Sequence, residues 1–289
     1  MKLENDFLCV EIAELGAEVT RIYDKETGNE VLWNGNPKYW KRHSPVLFPN
    51  VGRTWQNTVL INGVKYPTSM HGFARDTVFT CIKSATDSVT YMMRSSEETK
   101  EVYPFDFELH ITYYLRGKEL EVEWEVKNRS EDTMYYTIGG HPAFWFSGSE
   151  ETKEDYILKF PGKKTLQYVR PSLETGTALV DQVYTLELDN ETCSINDEMF
   201  AQDALIFDDG QVEEIWLCHK DGSPYVGMRC PGIISLGVWS VKNAPFVSFE
   251  PWAGRCDDYG FDKDISEKRG INKVESGKTL VKSYTIVVA

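Results

Sequence analysis

The sequence predicts an all-β chain, a large antiparallel sandwich with few short helices, and three observations carry that prediction. Apolar residues recur with period two, short polar turn signals separate the runs, and no segment sustains an apolar i, i+3, i+4, i+7 stripe over a normal helix length. The clearest run is Leu120-Glu-Val122-Glu-Trp124-Glu-Val126, an unbroken apolar/acidic alternation that describes a strand with one buried and one solvated face.

The other elements follow in chain order. Phe7–Ile12 is the first β-rich run, and Glu26-Thr-Gly28-Asn29 is a turn. Asn36–Phe48 has room for a short turn of helix. Asn62-Gly63, between Val59-Leu60-Ile61 and Val64-Lys65-Tyr66, reads as a two-residue hairpin because both residues tolerate positive φ. Val78–Ile82 and Val89–Met93 are strands, and Ser95–Tyr103 is a second short helical stretch that closes before Pro104. Leu109–Leu115 joins the alternating run through Arg116-Gly117-Lys118. Ser147–Asp155 is acidic and reads as a solvated loop. Ile215–Leu217, Ile233–Val241 and Tyr284–Val288 are further strands, with turns at Asp209-Gly210 and Asp221-Gly222. No repeat, low-complexity tract or linker divides the chain, so residues 1–289 are expected to form a single domain.

Composition narrows the partners. The 289 residues carry 45 acidic against 31 basic side chains, a net charge of −14. That balance argues against binding a nucleic-acid backbone or an anionic membrane surface, and leaves neutral, hydroxyl-rich ligands open. A chain of this size buries roughly three quarters of its unfolded surface without disulfide staples. The N-terminus lacks a basic region followed by an apolar stretch, and no apolar run approaches the ~18–20 residues of a membrane span. The six cysteines form no CxxC pair and are expected to be reduced, buried thiols. The expected location is cytoplasmic, with homodimer formation left open.

Few residues can do chemistry. His43, His110 and His219 stand in ordinary contexts. His71, in Ser69-Met70-His71-Gly72-Phe73-Ala74-Arg75, and His141, in Gly139-Gly140-His141-Pro142-Ala143-Phe144, sit among residues that shape tight backbone. Each is either a packed histidine at a strand end or a group held close to a ligand. Glu250 stands in the apolar stretch Ala244–Trp252. It is either a base whose pKa desolvation raises or the solvated face of a strand ending at Pro251. Phosphate loops, G-x-S-x-G elbows and H-E-x-x-H helices are absent, and His71, His141 and a carboxylate lack close metal-ligand spacing. Asp257, Asp258, Asp262 and Asp264 miss the calcium-loop spacing and read as a charged surface loop.

Taken together, Phe48-Pro-Asn50-Val-Gly52-Arg53, His71-Gly-Phe-Ala-Arg75, Gly140-His141-Pro142-Ala143-Phe144 and Phe249-Glu250-Pro251-Trp252 resemble the aldose 1-epimerase (galactose mutarotase-like) family, in its LacX-type branch. The similarity runs to Asn272–Gly277. It implies a β-supersandwich with a sugar cleft, and a mutarotase that interconverts the anomers of a free hexose such as galactose or glucose. It implies Glu250 as general base, His141 as general acid, His71 and Arg53 as sugar-binding residues, and Asp203 as an acidic sugar-binding position. The starting state expected from these roles has Glu250 ionised and His141 protonated, with no metal or organic cofactor required. His71-Gly-Phe-Ala-Arg75 also resembles hexose-6-phosphate mutarotases. Arg75 is thus a candidate phosphate clamp with Arg53, or a partner of a nearby acid such as Asp76. A non-catalytic sugar-binding or sensor protein, and a glycoside hydrolase or lyase, are the remaining alternatives; hydrolases normally need two flanking carboxylates.

Overall fold

The computed structural model describes residues 1–146 and 151–289. Residues 147–150, where the acidic run begins, lie outside that description. The alternating run forms Glu119–Asn128, with its apolar side chains buried and its glutamates half-buried. It lies between Phe107–Arg116 and Thr279–Val288, antiparallel to both. These strands are the middle of a nine-stranded sheet in the order Thr192–Ser194, Tyr156–Lys159, Glu214–His219, Pro224–Arg229, Thr279–Val288, Glu119–Asn128, Phe107–Arg116, Ser88–Arg94, Thr80–Ser84. Asn62 and Gly63 turn the Thr58–Ile61/Val64–Pro67 hairpin at φ of 50° and 80°, as the dipeptide predicts.

The second sheet carries the chemistry. Its strands are β1 (Val46–Leu47), β2 (Ile138–Gly140), β3 (Ala143–Trp145), β4 (Leu205–Phe207), β5 (Ser235–Trp239) and β6 (Phe246–Ala253), in the order β4-β5-β6-β2-β1, with β3 also paired to β6. It packs face to face with the large sheet: Phe207 of β4 meets Phe160 at 5.6 Å between ring centroids, and Phe48, just past β1, meets Phe107 at 5.1 Å. All eight residues of β6 are buried. Val247 and Phe249 point into the core between the sheets, so by the two-residue period Ser248, Glu250 and Trp252 occupy the opposite face.

The two segments with room for a short helical turn each hold one, and two loop readings are corrected. Asn36–Phe48 holds only one turn, in which the Asn36 carbonyl accepts from the N–H groups of Tyr39 and Trp40. Pro37 and Pro45 bracket the segment, and the Trp33 indole donates to the Trp40 carbonyl at 2.8 Å. The second helical stretch shrinks to Glu97–Lys100, opened by reciprocal bonds between Ser96 and Thr99. The aspartates at 257–264 are not simply a surface loop, because Asp257 is buried in an ion pair with Lys268 at 2.8 Å. Likewise Lys153, in the acidic run, is buried and donates to the carbonyls of Val241 and Ala244. All six cysteines are unpaired thiols.

One close approach fixes the loop that carries the first candidate histidine. The N–H groups of Phe73 and Ala74 both donate to the Phe48 carbonyl. Gly72 crosses there at φ 68°, where an added Cβ would lie 2.2 Å from the Phe48 oxygen. Gly117 is also left-handed, at φ 57°, but has open space around it. Gly117→Ala is therefore expected to cost about 1–2 kcal/mol, the left-handed penalty alone. Gly72→Ala adds a backbone clash and should cost at least twice as much. Urea unfolding midpoints of the two variants check this, and equal losses would contradict it.

Candidate active site

Strand β6 does not end at Pro251, and Glu250 is not on a solvated face. Glu250 is 2% exposed and pairs with Gly237 of β5. Beside it, the bend between β2 and β3 presents His141, itself buried. The Pro142 carbonyl at that bend accepts from the Phe249 N–H of β6 at 3.2 Å, which ties the bend to the strand. The result is a contact of 3.2 Å between His141 Nε2 and Glu250 Oε2. Trp40 stacks on the His141 ring with centroids 4.5 Å apart, while Trp239 and His71 approach it edge-on at 5.4 and 5.8 Å.

His71 is held by a loop clamp. Its backbone N–H donates to the Gly52 carbonyl at 2.8 Å, and the Gly52 N–H donates back to its Nδ1 at 3.0 Å. The Asn50 side-chain amide bonds the carbonyls of Gly52 and Ser69 at 3.0 and 2.9 Å, fastening the two loops together. Because Nδ1 accepts, neutral His71 carries its proton on Nε2 and serves as a hydrogen-bond donor.

Arg53, Arg75 and Asp203 border the same cleft as Glu250, His141 and His71, a cavity of about 840 Å³. Arg53 donates to the Asn57 side chain at 3.0 Å. Asp203 takes a left-handed backbone at φ 67°; one of its carboxylate oxygens accepts from the Ala204 N–H, and its carbonyl accepts from Arg170. Arg75 donates to the Met70 carbonyl at 2.6 Å, and its Nε lies 3.7 Å from Asp76. Asp76 is held more closely by Arg42, at 2.8 Å. Arg75 thus has the acidic neighbour expected of it and also faces the cleft.

Burial dominates the electrostatics. It pushes the Glu250 carboxyl well above its usual range; the negative Asp203 adds to the rise and Trp252 opposes it. Burial also lowers His141, with Arg75 and Arg42 adding to the drop. His71 falls for the same first reason, and then through His141, Arg75, Arg42 and Arg53. These shifts run against an ionised Glu250 beside a protonated His141. Burial favours the neutral form of the pair, which holds the same single proton between the two groups.

Other residues that form or support the cleft escaped the sequence reading. Asn50, Trp40, Trp239 and Trp252 shape the site, yet Asn50 and Trp252 were visible only as letters within recognised motifs. Trp40 lay in a segment with room for a short turn of helix, and nothing in the sequence places Trp239 beside His141. Of the remaining histidines, His110 lies on the large sheet against Glu125, and His43 lies against Glu18. Among the described residues no cluster of three or more His, Cys, Asp or Glu side chains is placed to hold a metal, and no helix is long and apolar enough to cross a membrane.

Comparisons with known proteins agree with the architecture. The chain is 31% identical over 297 residues to the plasmid-encoded protein LacX of Lactococcus lactis subsp. lactis, covering 100% of this chain and 99% of that one. A solved galactose mutarotase related enzyme from Lactobacillus acidophilus superposes with a TM-score of 0.94 at 30% identity, covering 100% of this chain and 97% of the other. A galactose mutarotase-like protein from Lactobacillus casei superposes at 0.91 with 24% identity, covering 100% and 99%, and shares the fold. The family model for aldose 1-epimerase matches residues 1–223. With four motifs in order, a sandwich superposable end to end and a family match over most of its length, this chain belongs to the aldose 1-epimerase family.

Proposed function

We propose that the protein is an aldose 1-epimerase that interconverts the α and β anomers of a free hexose such as galactose or glucose. The observation that carries this reading is the 3.2 Å contact between Glu250 and His141 at the floor of an open cleft. A hemiacetal opens when its O1 hydroxyl loses a proton and its ring oxygen gains one. Both oxygens sit on one carbon, so a base and an acid in mutual contact reach them together. Glu250 takes the O1 proton and His141 protonates the ring oxygen. The aldehyde then turns about the C1–C2 bond, and the transfers run in reverse on the other face.

The neutral resting pair is compatible with this cycle. A sugar O1–H donating to the carboxylate, and a ring oxygen accepting from the imidazolium, both stabilise the charged arrangement and offset burial. His71, with Nε2–H as donor, and Arg53 hold sugar hydroxyls, and Asp203 accepts from another. A pure binder needs no acid and base in contact, and the partner that Glu250 touches is an imidazole rather than the second carboxyl group of a hydrolase. A hexose 6-phosphate is the second reading, favoured by Arg53 and Arg75, which both border the cleft.

Glu250→Gln is expected to lower kcat for glucose or galactose mutarotation, followed by polarimetry, by about 10²–10⁴-fold. Parental activity in that variant would refute the assignment. Its stability should not suffer. Burial raises native Glu250 above the unfolded carboxylate range, so the native state keeps a proton in a pH window where the unfolded chain has released it, and stability falls as pH rises through that window. Gln lacks that term, and the variant's urea midpoint at pH 7.5 should equal or exceed the parent's.

Activity should be bell-shaped in pH with a broad plateau, because the pair works with one shared proton. Burial places the acid limb, where His141 gains a second proton, below the usual histidine range, and the alkaline limb well above the usual carboxylate range. An acid limb at or above pH 6.5 in kcat/KM would contradict this. If the phosphorylated reading holds, Arg75→Gln should reduce kcat/KM for glucose 6-phosphate at least tenfold more than for glucose. Equal losses on both sugars would remove the phosphate role.

A further inference from the structure

The cleft floor contains a buried donor to which the mechanism above assigns no task. Trp252 stands two residues after Glu250 on the same face of β6, and it is 5% exposed. Its indole lies flat across both neighbouring strands. An added Cβ on Gly139 of β2 would meet its Cδ1 at 2.5 Å, and one on Gly237 of β5 would meet its six-membered ring at 2.5 Å. Gly237 is also the residue paired with Glu250, and its added Cβ would lie 3.2 Å from the Glu250 Cβ. Two glycines thus form a slot that fixes the ring beside the carboxyl group. Among the described residues the indole Nε1–H, buried and bordering the cleft, completes no hydrogen bond, yet it stands near enough to the Glu250 carboxyl to favour its ionised form. An N–H left unpaired in such a site is costly unless a partner arrives during the work of the site.

We propose that Trp252 is a positioning residue whose indole N–H closes onto the Glu250 carboxylate whenever that group is ionised. This rests on Glu250 being the base. The direction of Trp252's influence fits, since it draws the carboxyl back toward its ionised form against burial. The other charged or titratable groups facing the pair are His141, in contact with Glu250, and Asp203, which opposes ionisation. His71, Arg75 and Arg42 act further off, through the His141 imidazole. Among these neighbours Trp252 alone is a neutral donor beside the carboxyl group. It stabilises the anion without adding a charge to the cleft, while the slot keeps the donor from following the substrate out.

The test is Trp252→Phe, which keeps a flat ring in the slot and removes the N–H. Losing a donor to the carboxylate makes release of the shared proton harder. The alkaline limb of kcat/KM should therefore rise by about one pH unit, and the plateau should fall about tenfold. Gly237→Ala, which displaces the indole but leaves its N–H, should move the limb in the same direction. In ¹H–¹⁵N spectra the Trp252 indole resonance, assigned by its absence in Trp252→Phe, should titrate with the alkaline limb in the parent and stay fixed in Glu250→Gln. A raised KM with an unmoved limb would mean that the N–H serves a sugar hydroxyl, and would overturn the proposal. So would an indole resonance that does not respond to pH in the parent. Either failure leaves Glu250 as base untouched, whereas full activity in Glu250→Gln removes both readings.

Discussion

Everything at this site depends on a carboxyl group being placed where water is excluded. Strand β6 is buried on both faces, and Glu250 sits in it as an ordinary core residue would. A lone ionised carboxylate could not be kept there, because the cost of stripping its hydration far exceeds the margin by which a domain is stable. The imidazole of His141 resolves the conflict, since the two groups can hold one proton between them and remain neutral. The same desolvation that threatens the fold makes the proton mobile, and neither group holds a fixed charge within the pair.

That arrangement needs rigid support, and the support comes from groups that do no chemistry. Just past β6, Arg255 is 2% exposed, with its Nε on both oxygens of Asp208 at 2.8 and 3.0 Å and its Nη2 2.8 Å from Asp258. The next residue, Cys256, packs so closely on Gly52 that an added Cβ would lie 2.6 Å from it. Asp257 then accepts from the Trp55 N–H and pairs with Lys268. The chain leaving β6 is thereby fastened to the Asn50–Arg53 loop, which in turn holds His71. A buried ion pair is a poor source of net stability, and here its contribution is registration of two loops that carry the polar groups.

Much of this was legible before any coordinates. The acid/apolar alternation at 120–126 specifies a strand because a period of two leaves no other way to separate its faces. The Asn-Gly pair specifies its hairpin for equally local reasons. The motifs around His71, His141 and Glu250 named the residues that meet in the cleft. Convergence itself was not written locally: Trp40 reaches His141 across about a hundred residues, and its own segment, bracketed by two prolines, reads ambiguously. What burial does to the pair was illegible for a related reason. The sequence shows that Glu250 has apolar neighbours, but only the packed structure shows that His141 and His71 lose their water as well.

The place of Thr279–Val288 in the large sheet has a consequence for how the chain is made. It lies between Glu119–Asn128 and Pro224–Arg229, so two blocks of sheet are joined only by this late segment. During synthesis the Glu119–Asn128 edge has no partner on that side until more than a hundred and fifty further residues have been added, a long window for adhesion to other nascent chains. The glutamates at 119, 121, 123 and 125, which do nothing for the cleft, give that waiting edge a row of like charges. Like charges repeated along an unpaired strand oppose its pairing with another copy of itself.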